Sequence, residues 1–282
     1  MPIKAVQQFQ LGTVLGNEKQ ARETLRLMKE AGYEGIELCS FMTKKIPFAV
    51  KMLTRVAGMP VGRGGGLDWK ALVREADLRV VSVHNDLGTI RRDPAAVIEE
   101  ARSFGTEYAV VTGIYRFDFS NGEAVEKLAD DLNKAGEALE KGGVHLLYHN
   151  HNCELRKVAP RKTAYQLLQE RTDPRYVNFE FDSYWPTEAG ANALELMRQL
   201  GERMKLYHIN DRGTRITGPA MTPILKSDSM ELGYGNMNLV PLVQQAKSVG
   251  VKAVILESHR NWVDKSPIKS FQVSAAFMNE HV

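Results

Sequence analysis

The chain has 282 residues, 43% hydrophobic and 25% charged, with 37 basic against 34 acidic residues and a formal net charge of +3. Those proportions suit a soluble globular protein with a sizeable core, and so small and scattered a basic surplus excludes a broad electrostatic footprint for nucleic acid. Two distant cysteines, Cys39 and Cys153, suggest no disulfide framework, no apolar stretch reaches the length of a membrane span, and "MPIKAVQQFQLG" lacks the core of a signal peptide; a cytoplasmic protein with reduced thiols is expected.

Short apolar runs alternate with amphipathic segments along the chain. The first run, "AVQQFQL" (5–11), precedes a helix pattern over 17–32 in which Leu25, Leu27 and Met28 form a stripe before a glycine stop. Then come "YEGIEL" (33–38), a long connector, "RVVSVHN" (79–85) and "YAVVTGI" (108–114). A helix follows over 121–143, with Val125, Leu128, Leu132 and Leu139 at helical spacing. The last four runs are "HLLYHNH" (145–151), "VNFEFDSYW" (177–185), "KLYHIND" (205–211) and "AVILESH" (253–259), with a further helix over 238–250. Strand and helix repeated eight times predict parallel strands joined by crossover helices, hence a single (β/α)8 TIM barrel spanning 1–282. The rival, an open doubly wound sheet, usually carries a glycine-rich nucleotide turn after its first strand, and "QLGTVLGNEK" does not supply G-x-G-x-x-G.

In such a barrel the chemistry sits at the C-terminal ends of the strands. Those ends carry Glu37, His84, His149 and His151, Glu180 and Asp182, His208, and Glu257 with His259; six of the seven histidines fall within strand runs. Alternation along a strand places His149 with Leu147, Asp182 with Glu180 and Asn178, His208 with Leu206, and Glu257 with Ile255 and Ala253. Four consecutive strands can therefore each aim one imidazole or carboxylate at a common centre. Two imidazoles and two carboxylates suit one divalent cation, manganese, cobalt, zinc or iron. The structural alternative is a barrel mouth plugged by satisfied polar residues, although burying so many charges without a ligand is costly.

The runs "LLYHNHNCEL", "FEFDSYW", "LYHIND", "ELGYGNMNLVPLV" and "VILESH" resemble the xylose-isomerase-like barrels, the superfamily of sugar phosphate isomerases/epimerases that also includes endonuclease IV. The match is to the branch with a Tyr-His-Asn-His motif and covers nearly the whole chain. It implies a metal-dependent isomerase or epimerase of a small sugar or sugar derivative, working through an enediolate. His149, Asp182, His208 and Glu257 would be the ligands, Glu257 the base and His149 a ligand and proton carrier. A metal-dependent lyase or dehydratase uses the same chemistry, and a non-catalytic sugar-binding subunit would keep the fold without the metal. Two departures bear on this choice. Epimerases of the group usually have a glutamate where this chain has His149, which puts two-base epimerisation in doubt. Asn210 replaces a usual lysine, so the substrate need not be phosphorylated. The expected partner is a small carbohydrate; neither nucleic acid nor membrane is expected, and a homo-oligomer stays open.

Glu37 and His84 point toward the same mouth, to contact substrate hydroxyls or position a base, with Glu37 as a backbone acceptor the plainer alternative. His151, Glu154 and Trp185 are further substrate-contact candidates, Trp185 by stacking on a sugar ring, or else rim packing. The glycine-rich 61–69 segment reads as a connector with Asp68 as helix N-cap rather than an anion cradle. The connector 40–60 reads equally as a lid or an extra surface helix, and the long loop 212–238 brings Arg215 and Lys226 as less favoured substrate contacts.

Overall fold

The computed structural model describes residues 1–44, 64–114, 116–215 and 225–282. Eight parallel strands close on themselves: β1 (Ile3–Gln7), β2 (Gly35–Cys39), β3 (Arg79–Asn85), β4 (Tyr108–Thr112), β5 (His145–His149), β6 (Val177–Asp182), β7 (Met204–Ile209) and β8 (Ala253–Leu256). Each pairs with its neighbours in the sequence, and β1 closes the ring on β8 from Ile3 opposite Ala253 to Val6 opposite Leu256. Two short hairpin-like sheets, Lys157–Ala159 with Lys162–Thr163 and Asp211–Gly213 with Asp228–Met230, stand beyond β5 and β7. Among the described residues no helix is long and apolar enough to cross a membrane.

The helices start where the sequence offers an acceptor for free backbone N–H groups. Asn17 caps Glu18–Glu30, Asp68 caps Trp69–Glu75 and Asn121 caps Gly122–Glu140, each accepting from an amide three residues on. In the first of these helices the buried face is Ala21, Thr24, Leu25 and Met28, so Thr24 takes the place expected for Leu27, which is only half-buried. Gly136 is required within the third, because a Cβ there would lie 2.2 Å from the Tyr176 carbonyl oxygen. The glycine-rich segment is described from Gly64 onward, and the expected lid or extra helix over 40–60 lies mostly outside the described residues, with one helical turn at Ser40–Thr43.

Two apolar cores result. The larger fills the space between strands and helices and takes Val177, Phe179 and Phe181 from β6. The smaller lies inside the barrel: Ala5, Val81, Tyr108, Val110, Leu147, Leu206, Ala253 and Ile255. Strict alternation breaks in two places. The β2–β3 register shifts at Ile36/Glu37, which sets Glu37 opposite Ser82, and the β6–β7 register shifts at Phe179/Glu180. Such irregularities re-aim side chains: Val81 and His84, of opposite parity on β3, both serve the interior side, one in the apolar plug and one in the polar layer above it. The sequence runs also overshoot the strands. Gln8–Leu11 form a 3-10 turn, Tyr184–Glu188 a short helix, and His151 and His259 lie past the ends of β5 and β8.

Candidate metal centre

Directly above the apolar plug, the next inward residue of β5, β7 and β8 is polar, and β6 ends in a carboxylate. His149, Asp182, His208 and Glu257 are all buried and present ligand-type atoms within 4.8 Å of one another. His208 Nδ1 lies 2.9 Å from Glu257 Oε2. Asp182 Oδ1 accepts from the amides of Tyr184 (2.7 Å) and Trp185 (3.1 Å), and Asn150 bridges β5 to β6 by pairing its side-chain amide with the Asp182 backbone, 3.0 Å each way. The short helix that begins at Tyr184 thus orients the Asp182 carboxylate.

A second group overlaps the first: His84, His149, Glu180 and His208, also within 4.8 Å. Glu180 Oε2 is 3.0 Å from His84 Nε2, 2.9 Å from His149 Nδ1 and 3.2 Å from His208 Nε2. Glu37 Oε2 is 2.7 Å from His208 Nε2 and 3.0 Å from His84 Nε2, while Ser82 Oγ donates to Glu37 Oε1. Glu37 and Glu180 are completely buried.

Burying four carboxylates is costly unless positive charge answers them. Burial would raise Glu180, but the imidazoles of His208 and His84 and hydrogen bonds from His149 and His208 hold it well below the usual carboxylate range. Against the pull of burial, the carboxylates of Glu37 and Glu180 raise His84 to about 10, and Glu180, Glu37 and Glu257 raise His208 strongly. Glu257 is likewise lowered, by His259 and His208, despite its burial. In Asp182 burial wins and pushes the carboxyl up to about 6. The donor set of His149, Asp182, His208 and Glu257 fits a divalent cation, two imidazoles and two carboxylates within 4.8 Å of one another; in the overlapping group, Oε1 of the buried Glu180 lacks a hydrogen-bond partner.

Around the mouth the rings of Phe9, His259, Trp185, His151 and His149 follow one another at centroid distances of 5.6, 5.9, 5.6 and 5.0 Å. Burial and the neighbouring His149 push His151 down to about 3, so it is neutral at neutral pH. Glu154 turns inward instead: it accepts from the Tyr148 hydroxyl (2.8 Å) and the His151 amide (2.9 Å). Asn210 is engaged with Ser229 (2.8 Å), Arg215 with Glu231, and Lys226 is exposed. Asp211 accepts from the amides of Gly233, Gly235 and Met237, and a Cβ on Gly235 would lie 2.3 Å from its Oδ1, so the Gly-x-Gly turn is shaped around that carboxylate. Sequence reasoning missed the depth of Glu180, although its position two residues before Asp182 was the signal. It also missed Gln8 and Gln10, whose side chains accept from the amides of Cys39 (2.8 Å) and Ser258 (2.9 Å) and tie β1 to the ends of its neighbours.

Comparison with known proteins places the barrel that carries these residues. The inosose dehydratase of Clostridium perfringens is 25% identical over 204 residues, covering 70% of this chain and 65% of that protein, so the match spans just under two thirds of the relative's length. A sugar phosphate isomerase/epimerase from Parabacteroides distasonis superposes with a TM-score of 0.75 at 21% identity, over 98% of this chain and 92% of that one. The IOLI protein, whose crystal structure contains a zinc atom, superposes with a TM-score of 0.67 at 16% identity, over 99% of this chain and 98% of that one; at these identities the two structures speak for the fold. The family profile of the xylose isomerase-like TIM barrel matches residues 25–281, and the chain belongs to that family.

Proposed function

We propose that the protein is a divalent-metal-dependent enzyme that moves a proton at a carbon beside a carbonyl of a small sugar or sugar derivative, as an isomerase or epimerase does. The observation that carries this reading is the convergence of four buried ligand residues, His149, Asp182, His208 and Glu257, from four consecutive strands of the barrel. A cation held by these residues supplies, when bound, Lewis-acid polarisation of a carbonyl and its neighbouring hydroxyl. Glu257, kept ionised by His259 and His208, is the base we assign for the carbon-bound proton. His149 stands at the other end of the four-strand arc and, with its Nδ1 on Glu180, serves as a ligand, which leaves Glu257 to return the proton it takes. Trp185 and His151 line the mouth with ring faces suited to the C–H face of a sugar, and the neutral His151 offers a hydrogen bond to a hydroxyl.

Elimination of water is the second reading. It needs a base on one side only, which suits a site with a carboxylate at one end and an imidazole at the other, and the curated relative matched above is an inosose dehydratase. The test starts with metal content by elemental mass spectrometry for the wild type and an Asp182→Ala/His208→Ala variant that still folds. Near-stoichiometric metal in the first and none in the second is expected. Ketoses and inososes are then incubated with the loaded protein in deuterated water. Deuterium at carbon without loss of water supports isomerisation or epimerisation, and an unsaturated or deoxygenated product supports dehydration. Absence of metal from both proteins in metal-replete buffer overturns the enzyme reading in favour of a sugar-binding subunit.

A further inference from the structure

His149 and His208 each appear in both overlapping groups, and a neutral imidazole has one lone pair to give. Which nitrogen carries the proton therefore decides which group can hold a cation. Carboxylates only accept, and beneath these two rings lie two of them, Glu180 and Glu37, completely buried. Four donors, Ser82 Oγ, His84 Nε2, His149 Nδ1 and His208 Nε2, point into this pair of carboxylates. The inner tier thus satisfies its donors by hydrogen bonds alone. The outer carboxylates behave differently. Asp182 uses Oδ1 for backbone amides, and Glu257 Oε1 has His259 at 3.7 Å, beyond hydrogen-bond reach, while Glu257 Oε2 lies 2.9 Å from His208 Nδ1, a proton position that a cation would take over.

From this we propose that Glu180 and Glu37 are positioning residues for the metal centre. They keep the protons on His149 Nδ1 and His208 Nε2, so that His149 Nε2 and, once the proton it shares with Glu257 is displaced, His208 Nδ1 are the nitrogens left for one cation, held by the outer group with Asp182 and Glu257. The inference rests on the proposed function above. It adds that the two overlapping groups are alternatives rather than a two-metal site, and that the inner one serves as the hydrogen-bonded support that ligand histidines characteristically need. His84 completes the support by donating between the two carboxylates, 3.0 Å from each. The unpartnered Glu180 Oε1 is the feature that fits a cation in the inner group instead, so the experiment must separate the two positions.

Metal-free protein, prepared by chelation, is titrated with Co(II), reading both affinity and the ligand-field absorption spectrum. Glu180→Gln and, separately, Glu37→Gln are expected to weaken binding roughly 10- to 100-fold, while the spectrum at saturation keeps its wild-type shape and the circular dichroism of the metal-free proteins is unchanged. An Asp182→Asn/Glu257→Gln variant is expected to lose binding altogether. Wild-type affinity in both Glu180→Gln and Glu37→Gln would overturn the positioning role, with the proposed function left standing. Retained binding in the outer double variant, together with loss in Glu180→Gln, would place the cation in the inner group and overturn the inference. A wild-type protein that binds no Co(II) overturns it together with the function on which it rests. Should Glu180→Gln fail to fold, Glu37→Gln carries the same reading, because Glu37 supports His208 without belonging to either candidate ligand group.

Discussion

Leu147, Leu206 and Ile255 fill the barrel interior, and two residues further along the same faces of the same strands stand His149, His208 and Glu257. One strand geometry thus produces two layers with opposite energetics. Burying a leucine or isoleucine side chain in the lower layer stabilises the fold by about 1.5–3 kcal/mol. Placing a carboxylate in the upper layer costs several kcal/mol of hydration, which neighbouring imidazoles repay in part. The plug closes the bottom of the site, excludes water from below and supplies stability on which the polar layer draws. The candidate metal centre is therefore an electrostatically costly layer resting on an apolar, well-packed one.

The comparison is open to direct attack. Its largest expected consequence is chemical: Asp182→Asn should lower turnover of whichever substrate the screen finds by roughly 1000-fold, the several kcal/mol that a Lewis acid supplies, while the metal-free variant melts no lower than the metal-free wild type. A clear loss of stability alongside the loss of activity would mean that the upper layer also holds the fold. Leu147→Ala reverses the pattern. Unfolding by denaturant should show a loss of about 2–5 kcal/mol, with metal stoichiometry of the folded protein unchanged; a loss below that range would show that the plug collapses to fill the gap.

The polar layer can be sharpened by pH. Burial holds Asp182 at about 6, above its ordinary value of 3.8. A carboxyl raised in the folded state binds its proton more tightly there than in the unfolded chain. It therefore favours the fold fully below about pH 4, and that contribution, on the order of 3 kcal/mol, disappears as pH rises through 6. In metal-free protein the melting-temperature advantage of Asp182→Asn over wild type should widen between pH 4 and pH 6. A constant gap would show that the wild-type carboxylate is not penalised by its burial. The smallest expected effect belongs to Glu154→Gln. It should lower stability by about 1–3 kcal/mol through the disturbed Tyr148 and His151 hydrogen bonds, and leave Co(II) affinity alone; a tenfold loss of affinity would move Glu154 from support of the β5 end into the site itself.

Much of this molecule is legible in its sequence. The helix caps Asn17, Asp68 and Asn121 act on amides three residues away, and local rules find them because the interaction is local. Strand ends are less legible: the apolar run through Trp185 conceals the turn at Ser183, where a short helix begins that orients Asp182. Glu154 follows two histidines and so reads as a substrate-contact candidate, and in the structure the 3-10 turn Cys153–Leu155 folds its carboxylate back onto Tyr148. Side-chain direction after a strand ends follows from packing rather than from alternation.

By itself, the sequence determined the repeating strand–helix order and the parity that sends His149, Asp182, His208 and Glu257 inward, since both are periodic properties of a single segment. Only the tertiary structure decided which carboxylate meets which imidazole. Glu37 reaches His208 across 171 residues, and Glu180 reaches His84 across 96. The register shift between β2 and β3 that sets Ser82 against Glu37 depends on how two strands pair. Periodicity is a property of one strand, whereas register, the closing of the ring and the sharing of a buried proton between a carboxylate and an imidazole belong to several strands at once.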